Sequence, residues 1–182
     1  MSRIPVKKLV LTAVFSALTF IATMIIQIPT PTNGYINLGD SIVLVSAYIL
    51  GPVYGGFAAG VGSALADLIA YPFYAPATFV IKFFMAFVSG LLFKLFRKHT
   101  FGAVICGLIG ELIMISGYFL FEAYIIGLGW FAALSGISSN IFQAIAGLCS
   151  SVLLIQAFTD KRKKPVTDKL PDEEEFYEEY EE

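Results

Sequence analysis

The sequence predicts an all-α membrane protein of six transmembrane helices with both termini in the cytoplasm. Three observations carry that prediction. The 182 residues are 57% hydrophobic with a mean hydropathy of +0.78, above the apolar share of ordinary soluble domains. Charge is sparse in the body: between Leu9 and Thr159 the acids are Asp40, Asp67, Glu111 and Glu122, and the bases are Lys82, Lys94, Arg97 and Lys98. Finally, the basic clusters fall in alternate connections, a pattern that six spans reconcile with a single cytoplasmic side.

The first helix is predicted over Leu9–Ile28, after Arg3, Lys7 and Lys8. Its apolar run of about twenty residues exceeds a signal-peptide core and ends in a proline-rich loop, so it reads as a retained span. Ala13 and Ala17 sit one turn apart, a small-xxx-small spacing that permits close approach of another helix or serves ordinary internal packing. Pro29–Leu38, with Pro31, Asn33 and Gly34, is a loop by its turn chemistry. Asp40 is placed to cap a second helix through Ile42–Leu50, which is short for a full span and stops at Gly51-Pro52.

Val53–Ala70 is crowded with glycine, alanine and serine, including the Gly56/Gly60 pair of a GxxxG. Such a helix suits close contact on more than one side. Pro72 and Pro76 then disfavour α geometry at Tyr71 and Ala75, so Tyr71–Thr78 reads as a broken link. Helix four, Ala77–Phe96, carries Lys82 in its first half, where a charge is expensive and points to a polar cavity, a partner or a ligand. It closes at Lys94, Arg97, Lys98 and His99. Helix five, Phe101–Gly127, carries Glu111, Tyr118 and Glu122. After a turn at Gly127–Gly129, helix six, Trp130–Phe158, carries Asn140 and Gln143. Residues 1–159 form the transmembrane domain. Residues 160–182 form a charged tail, expected to be disordered, whose last eleven positions hold eight of the fourteen acids.

With six spans, the amino terminus, the Gly51-Pro52 turn, the Arg97 loop and the tail share one side, and that side holds every base except Lys82. The other side's loops, near Tyr35, Tyr74 and Gly129, hold no lysine or arginine, so both termini face the cytoplasm. No basic surface suggests nucleic acid. No CxxC, HExxH or phosphate-loop pattern suggests a metal, a cofactor or a built-in ATPase. Cys106 and Cys149 read as small hydrophobes inside apolar runs.

That topology gathers the polar residues. Asn37, Asp40, Asp67, Tyr71, Tyr74, Lys82, Tyr118 and Glu122 fall in the outer half of the membrane, with Asn140 and Glu111 near the midplane as a floor. Two readings compete. Lys82 pairs with Asp67 or Glu111 as a buried ion pair, and Tyr35 and Tyr71 belong to an interfacial aromatic belt. Alternatively, the set is an outward pocket for a small polar solute, capped by the two broken loops. A rhomboid-like serine protease fails because His99 lies on the opposite rim. An acid/base site on Glu111 and Glu122 and a stand-alone carrier or channel are the other rivals.

Ile36-Asn37-Leu38-Gly39-Asp40, Leu50-Gly51-Pro52, the run Ala58–Leu68 and the stretch Tyr74-Ala75-Pro76-Ala77-Thr78-Phe79-Val80-Ile81-Lys82 resemble the substrate-binding S components of energy-coupling factor (ECF) vitamin transporters. The likeness covers helices one to four; helices five and six agree in length and character. It implies a non-enzymatic protein of the bacterial plasma membrane that binds a vitamin or its precursor from outside. Such a protein docks on one transmembrane scaffold subunit (the T component) and two ATP-binding cassette ATPases. In that family an alanine-spaced face of helix one meets the scaffold, and Ala13 and Ala17 match it. The loops after helices one and three cover the pocket. The Tyr-Ala-Pro-Ala-Thr stretch and the lysine after it are closest to hydroxymethylpyrimidine or pyridoxine-type members, with riboflavin and pantothenate carriers as alternatives. On that reading Lys82 meets a ring oxygen or carboxylate, and Glu122 and Asn140 serve hydroxyls or ring nitrogens.

Overall fold

The computed structural model describes residues 6–29, 35–96 and 101–158. The expected disordered tail at 160–182, the basic turn at Arg97–His99, Arg3, and Asn33 and Gly34 of the first loop lie outside the described residues.

Six α-helices order the described chain: α1 (Val6–Ile25), α2 (Gly39–Leu50), α3 (Pro52–Ala70), α4 (Ala75–Phe96), α5 (Gly102–Leu120) and α6 (Trp130–Phe158). A π-helical turn, Phe121–Ile125, extends α5. Five of these segments are long and apolar enough to cross a membrane, α5 counted with its π-helical extension; α2 is shorter, rising about 18 Å over its 12 residues.

Helix α3 is the hub, because its small residues let backbones approach on three sides. A methyl group at Gly55 would lie 2.7 Å from Ala47 Cα of α2, and one at Gly60 would lie 2.9 Å from the Phe79 carbonyl of α4. Gly62 faces Ser16 and Thr19 of α1, where Ser16 Oγ donates to the Ala58 carbonyl at 3.2 Å. The GxxxG pair turns toward α4, with Gly56 against the Phe83 ring. Val43, Leu44, Ala59, Met85 and Met114 fill the core between α2, α3, α4 and α5.

Several boundaries differ from expectation. The first loop contains a short antiparallel pairing of Ile28–Pro29 with Tyr35–Ile36. Asp40 does not cap α2. The helix begins one residue earlier at Gly39, and the Asn37 side-chain oxygen accepts from the Gly39 amide at 2.8 Å. The broken link is only Tyr71–Tyr74, because Ala75 already opens α4 and Pro76, in the first turn, has no backbone hydrogen bond to lose. Cys106 is buried, but Cys149 is exposed on the outer face of α6. The Gly127–Gly129 turn is as the sequence predicts, with both glycines at positive φ, 79° and 76°.

Two ends of the bundle are chemically distinct. At one, the Lys94 side chain lies over Gly51, its Cε 3.3 Å from where a Cβ would stand, so the α2–α3 turn and the basic end of α4 share a side. At the other, the strand pair, the Tyr71–Tyr74 link and the π-helical turn surround a cavity.

Candidate functional site

The cavity is built at that second end because α2 starts deep. Its short length leaves Asn37 and Asp40 well inside the bundle, and the space above them is walled by α3, the Tyr71–Tyr74 link, α5 with its π-helical turn, and α6. About 450 Å³ of empty space, partly open to solvent, is lined by Tyr35, Asn37, Asp67, Tyr71 and Tyr74. Tyr118, Glu122, Gly136, Asn140 and Gln143 complete the lining.

At the floor, Gln143 of α6 is a two-way connector. Its side-chain oxygen accepts from the Asn37 backbone amide at 2.9 Å and from Asn37 Nδ2 at 3.1 Å, while its Nε2 donates to Asp40 Oδ2 at 2.7 Å. The other oxygen of Asp40 takes the Lys82 ammonium in a fully buried ion pair. The Lys82 charge also lies 5.6 Å from the centre of the Tyr118 ring.

Asp67 organises the wall near the end of α3. It accepts from the Tyr35 hydroxyl across the first loop and from Thr78 Oγ1 of α4, and Thr78 Oγ1 in turn lies 3.0 Å from the Tyr118 hydroxyl. The Tyr35 and Tyr71 rings stack at 5.3 Å, so one loop closes on the other. Tyr74 donates toward Glu122 at 3.5 Å and packs edge-on against Phe121. Burial, reinforced by Asp67, holds the Tyr35 phenol above its ordinary range, and burial with Glu122 does the same for Tyr74. Both hydroxyls therefore stay protonated donors at neutral pH. Glu122 sits on the π-helical turn, where the backbone register of α5 widens.

Seven of the nine residues expected to meet a solute line this cavity: Asn37, Asp67, Tyr71, Tyr74, Tyr118, Glu122 and Asn140. Asp40 and Lys82 do not; they lie against each other beneath it. The ion-pair reading of Lys82 named Asp67 or Glu111 as partner, whereas the partner is Asp40, because Asp67 is engaged by Tyr35 and Thr78. Glu111 is likewise absent from the lining, so of the expected floor, Asn140 and Glu111, Asn140 alone lines the cavity, beside Asn37 and Gln143. Three lining residues were not in the predicted site. Gly136 and Gln143 stand four before and three after Asn140, on one helical face, and that spacing was a usable signal. The sequence reads Tyr35 either as a belt residue or as part of the pocket, and nothing local in it distinguishes a belt residue from a hydrogen-bond donor to Asp67.

The resulting wall has two carboxylates and, among its lining residues, no lysine, arginine or histidine. It offers aromatic faces, phenol donors, amides and carboxylate acceptors, a set suited to a small planar molecule rich in hydrogen-bond donors and unsuited to an anion.

The family model for the ECF-type riboflavin transporter S component matches residues 3–160. An uncharacterised protein of Pyrococcus woesei is 38% identical over 132 residues, covering 70% of this chain and 85% of the relative. The thiamine precursor transporter HmpT of Lactococcus lactis subsp. cremoris (strain MG1363) is 27% identical over 155 residues, covering 82% and 86%. A solved S component of a bacterial ECF transporter superposes with a TM-score of 0.69 at 20% identity, covering 87% of this chain and 98% of that one, a likeness of fold.

Proposed function

The chain belongs to the ECF-type riboflavin transporter S component family, and from that premise we propose that it captures a hydroxymethylpyrimidine-like vitamin precursor from outside the cell. It is a multi-pass membrane transport component and not an enzyme. The observation that carries the substrate reading is the cavity wall: Asp67 and Glu122 with tyrosines and amides, and the intramembrane lysine withdrawn into its pair with Asp40. An aminopyrimidine presents an exocyclic amine and a hydroxyl to such acceptors and a flat ring to Tyr35 and Tyr71. An anion such as pantothenate meets two carboxylates and, among the described lining residues, no cation. The thiamine precursor transporter among the relatives supports the same choice. Riboflavin is the second reading, favoured by the description of the matching family; it is neutral, so charge does not exclude it.

The cavity opens at the end away from Lys94, and the positive-inside rule makes that end extracellular, with both termini in the cytoplasm of a cell bounded by this plasma membrane. Uptake then needs a transmembrane scaffold subunit and two ATPases to supply the energy. Ala13 and Ala17 are exposed on α1, on a face shared with Val10, Val14, Leu18 and Ile21, while Ser16, Thr19 and Thr23 hold the opposite side to the bundle. This face, exposed among the described residues, supports scaffold docking through the two alanines.

The test is calorimetric titration of the detergent-purified protein with hydroxymethylpyrimidine, riboflavin and pantothenate. Hydroxymethylpyrimidine is expected to bind most tightly and pantothenate not at all. Binding of riboflavin or pantothenate without hydroxymethylpyrimidine would sink the substrate reading.

A further inference from the structure

Beneath the cavity lies a cluster that solute capture leaves unexplained. Glu111 of α5 is 2% exposed, and neither of its carboxylate oxygens has a hydrogen-bond partner among the described residues. Gly147 of α6 marks how near it lies to Asp40: a methyl group there would stand 2.7 Å from Asp40 Cβ and 2.9 Å from Glu111 Oε1. Among the described residues, α2 presents Asp40 and Tyr48 toward Glu111, α4 presents Lys82, α6 presents Gly147, and α5 itself carries Cys106 near Tyr48. Tyr48 is spoken for, since its hydroxyl donates to the Ala103 carbonyl at 2.8 Å.

The charge count is then two carboxylates against one ammonium. Asp40 has both oxygens served, one by Lys82 and one by Gln143. Glu111 has neither. A buried, ionised carboxylate with no donor among the described residues and beside a second carboxylate is strongly disfavoured. We propose that Glu111 is a proton-binding site under the solute pocket, occupied at neutral pH. The proton comes from water and resides on a Glu111 oxygen; Asp40 remains the anion paired with Lys82, and the cluster is neutral. Ionised, Glu111 would compete for Lys82 and loosen Asp40, which Gln143 connects to Asn37 on the cavity floor. The proton removes that competition.

Infrared spectroscopy of the solute-free protein in lipid at neutral pH tests this. A protonated carboxylic acid C=O band is expected that disappears in Glu111→Gln and persists in Glu122→Gln. No such band in the wild type, or a band unaffected by Glu111→Gln, overturns the proposal. Should Glu111→Gln fail to assemble, carbon-13 labelling of the glutamate carboxyls in Glu122→Gln replaces it. A carboxylic band moved by the label is then expected, and its absence overturns the proposal. No solute enters the measurement, so its failure leaves the transport reading standing.

Discussion

Lys82 is the residue whose role the fold changes most. An unpaired ammonium at this depth would be costly, and Asp40 offsets that cost only while both partners are present. Lys82→Met strands the Asp40 carboxylate and should destabilise the protein by roughly 3–5 kcal/mol, read as a clear drop in the melting temperature in detergent. The double variant Lys82→Met with Asp40→Asn keeps an acceptor for Gln143 Nε2 and removes both charges, so it should recover most of that loss. If the double variant stays as unstable as the single one, the ion pair is not what holds these helices together. Solute affinity in the double variant should stay near wild type. A large loss there would return Lys82 to the ligand-contact role expected from the sequence.

At the scale of elements, the two faces of small residues do different work. Gly60 of α3 meets α4 backbone, so even one added methyl group must push the helices apart. Gly60→Ala should cost about 1–3 kcal/mol, measured by thermal unfolding, as overpacking does where the obstructing atom is a carbonyl and not a flexible side chain. Ala13 and Ala17 of α1 are exposed on the outer side among the described residues. Ala13→Trp should leave melting temperature and solute affinity unchanged while abolishing uptake in cells that carry the scaffold and ATPases. Lost solute affinity in that variant would place the alanines inside the subunit. The spacing of small residues is the same on both helices, and it cannot say which face is turned inward. Only the packing of Ser16 and Thr19 onto Gly62 assigns the α1 faces.

For the whole molecule, the separation of a basic end from a cavity end predicts an orientation. With Cys106 and Cys149 replaced by alanine, Leu128→Cys should react with a membrane-impermeant maleimide added to intact cells, whereas Gly51→Cys, opposite Lys94, should not. Labelling of the reverse pattern would invert the topology and put the cavity mouth inside the cell.

Sequence alone was enough for the number and order of helices, because apolar length, proline and glycine breaks and alternating basic clusters are local or one-dimensional signals. It also drew most of the cavity wall, since burying polar groups in lipid leaves few places for Asp67, Glu122, Asn140 and the tyrosines to go. Partner choice was beyond its reach. Asp40 is 42 positions from Lys82 and 103 from Gln143, while Asp67 looked an equally good ion-pair partner until Tyr35 and Thr78 claimed it. Which carboxylate takes the lysine, which takes hydroxyls and which is left with no donor follows from competition among distant groups for the same few atoms, and that competition exists only once the helices are packed.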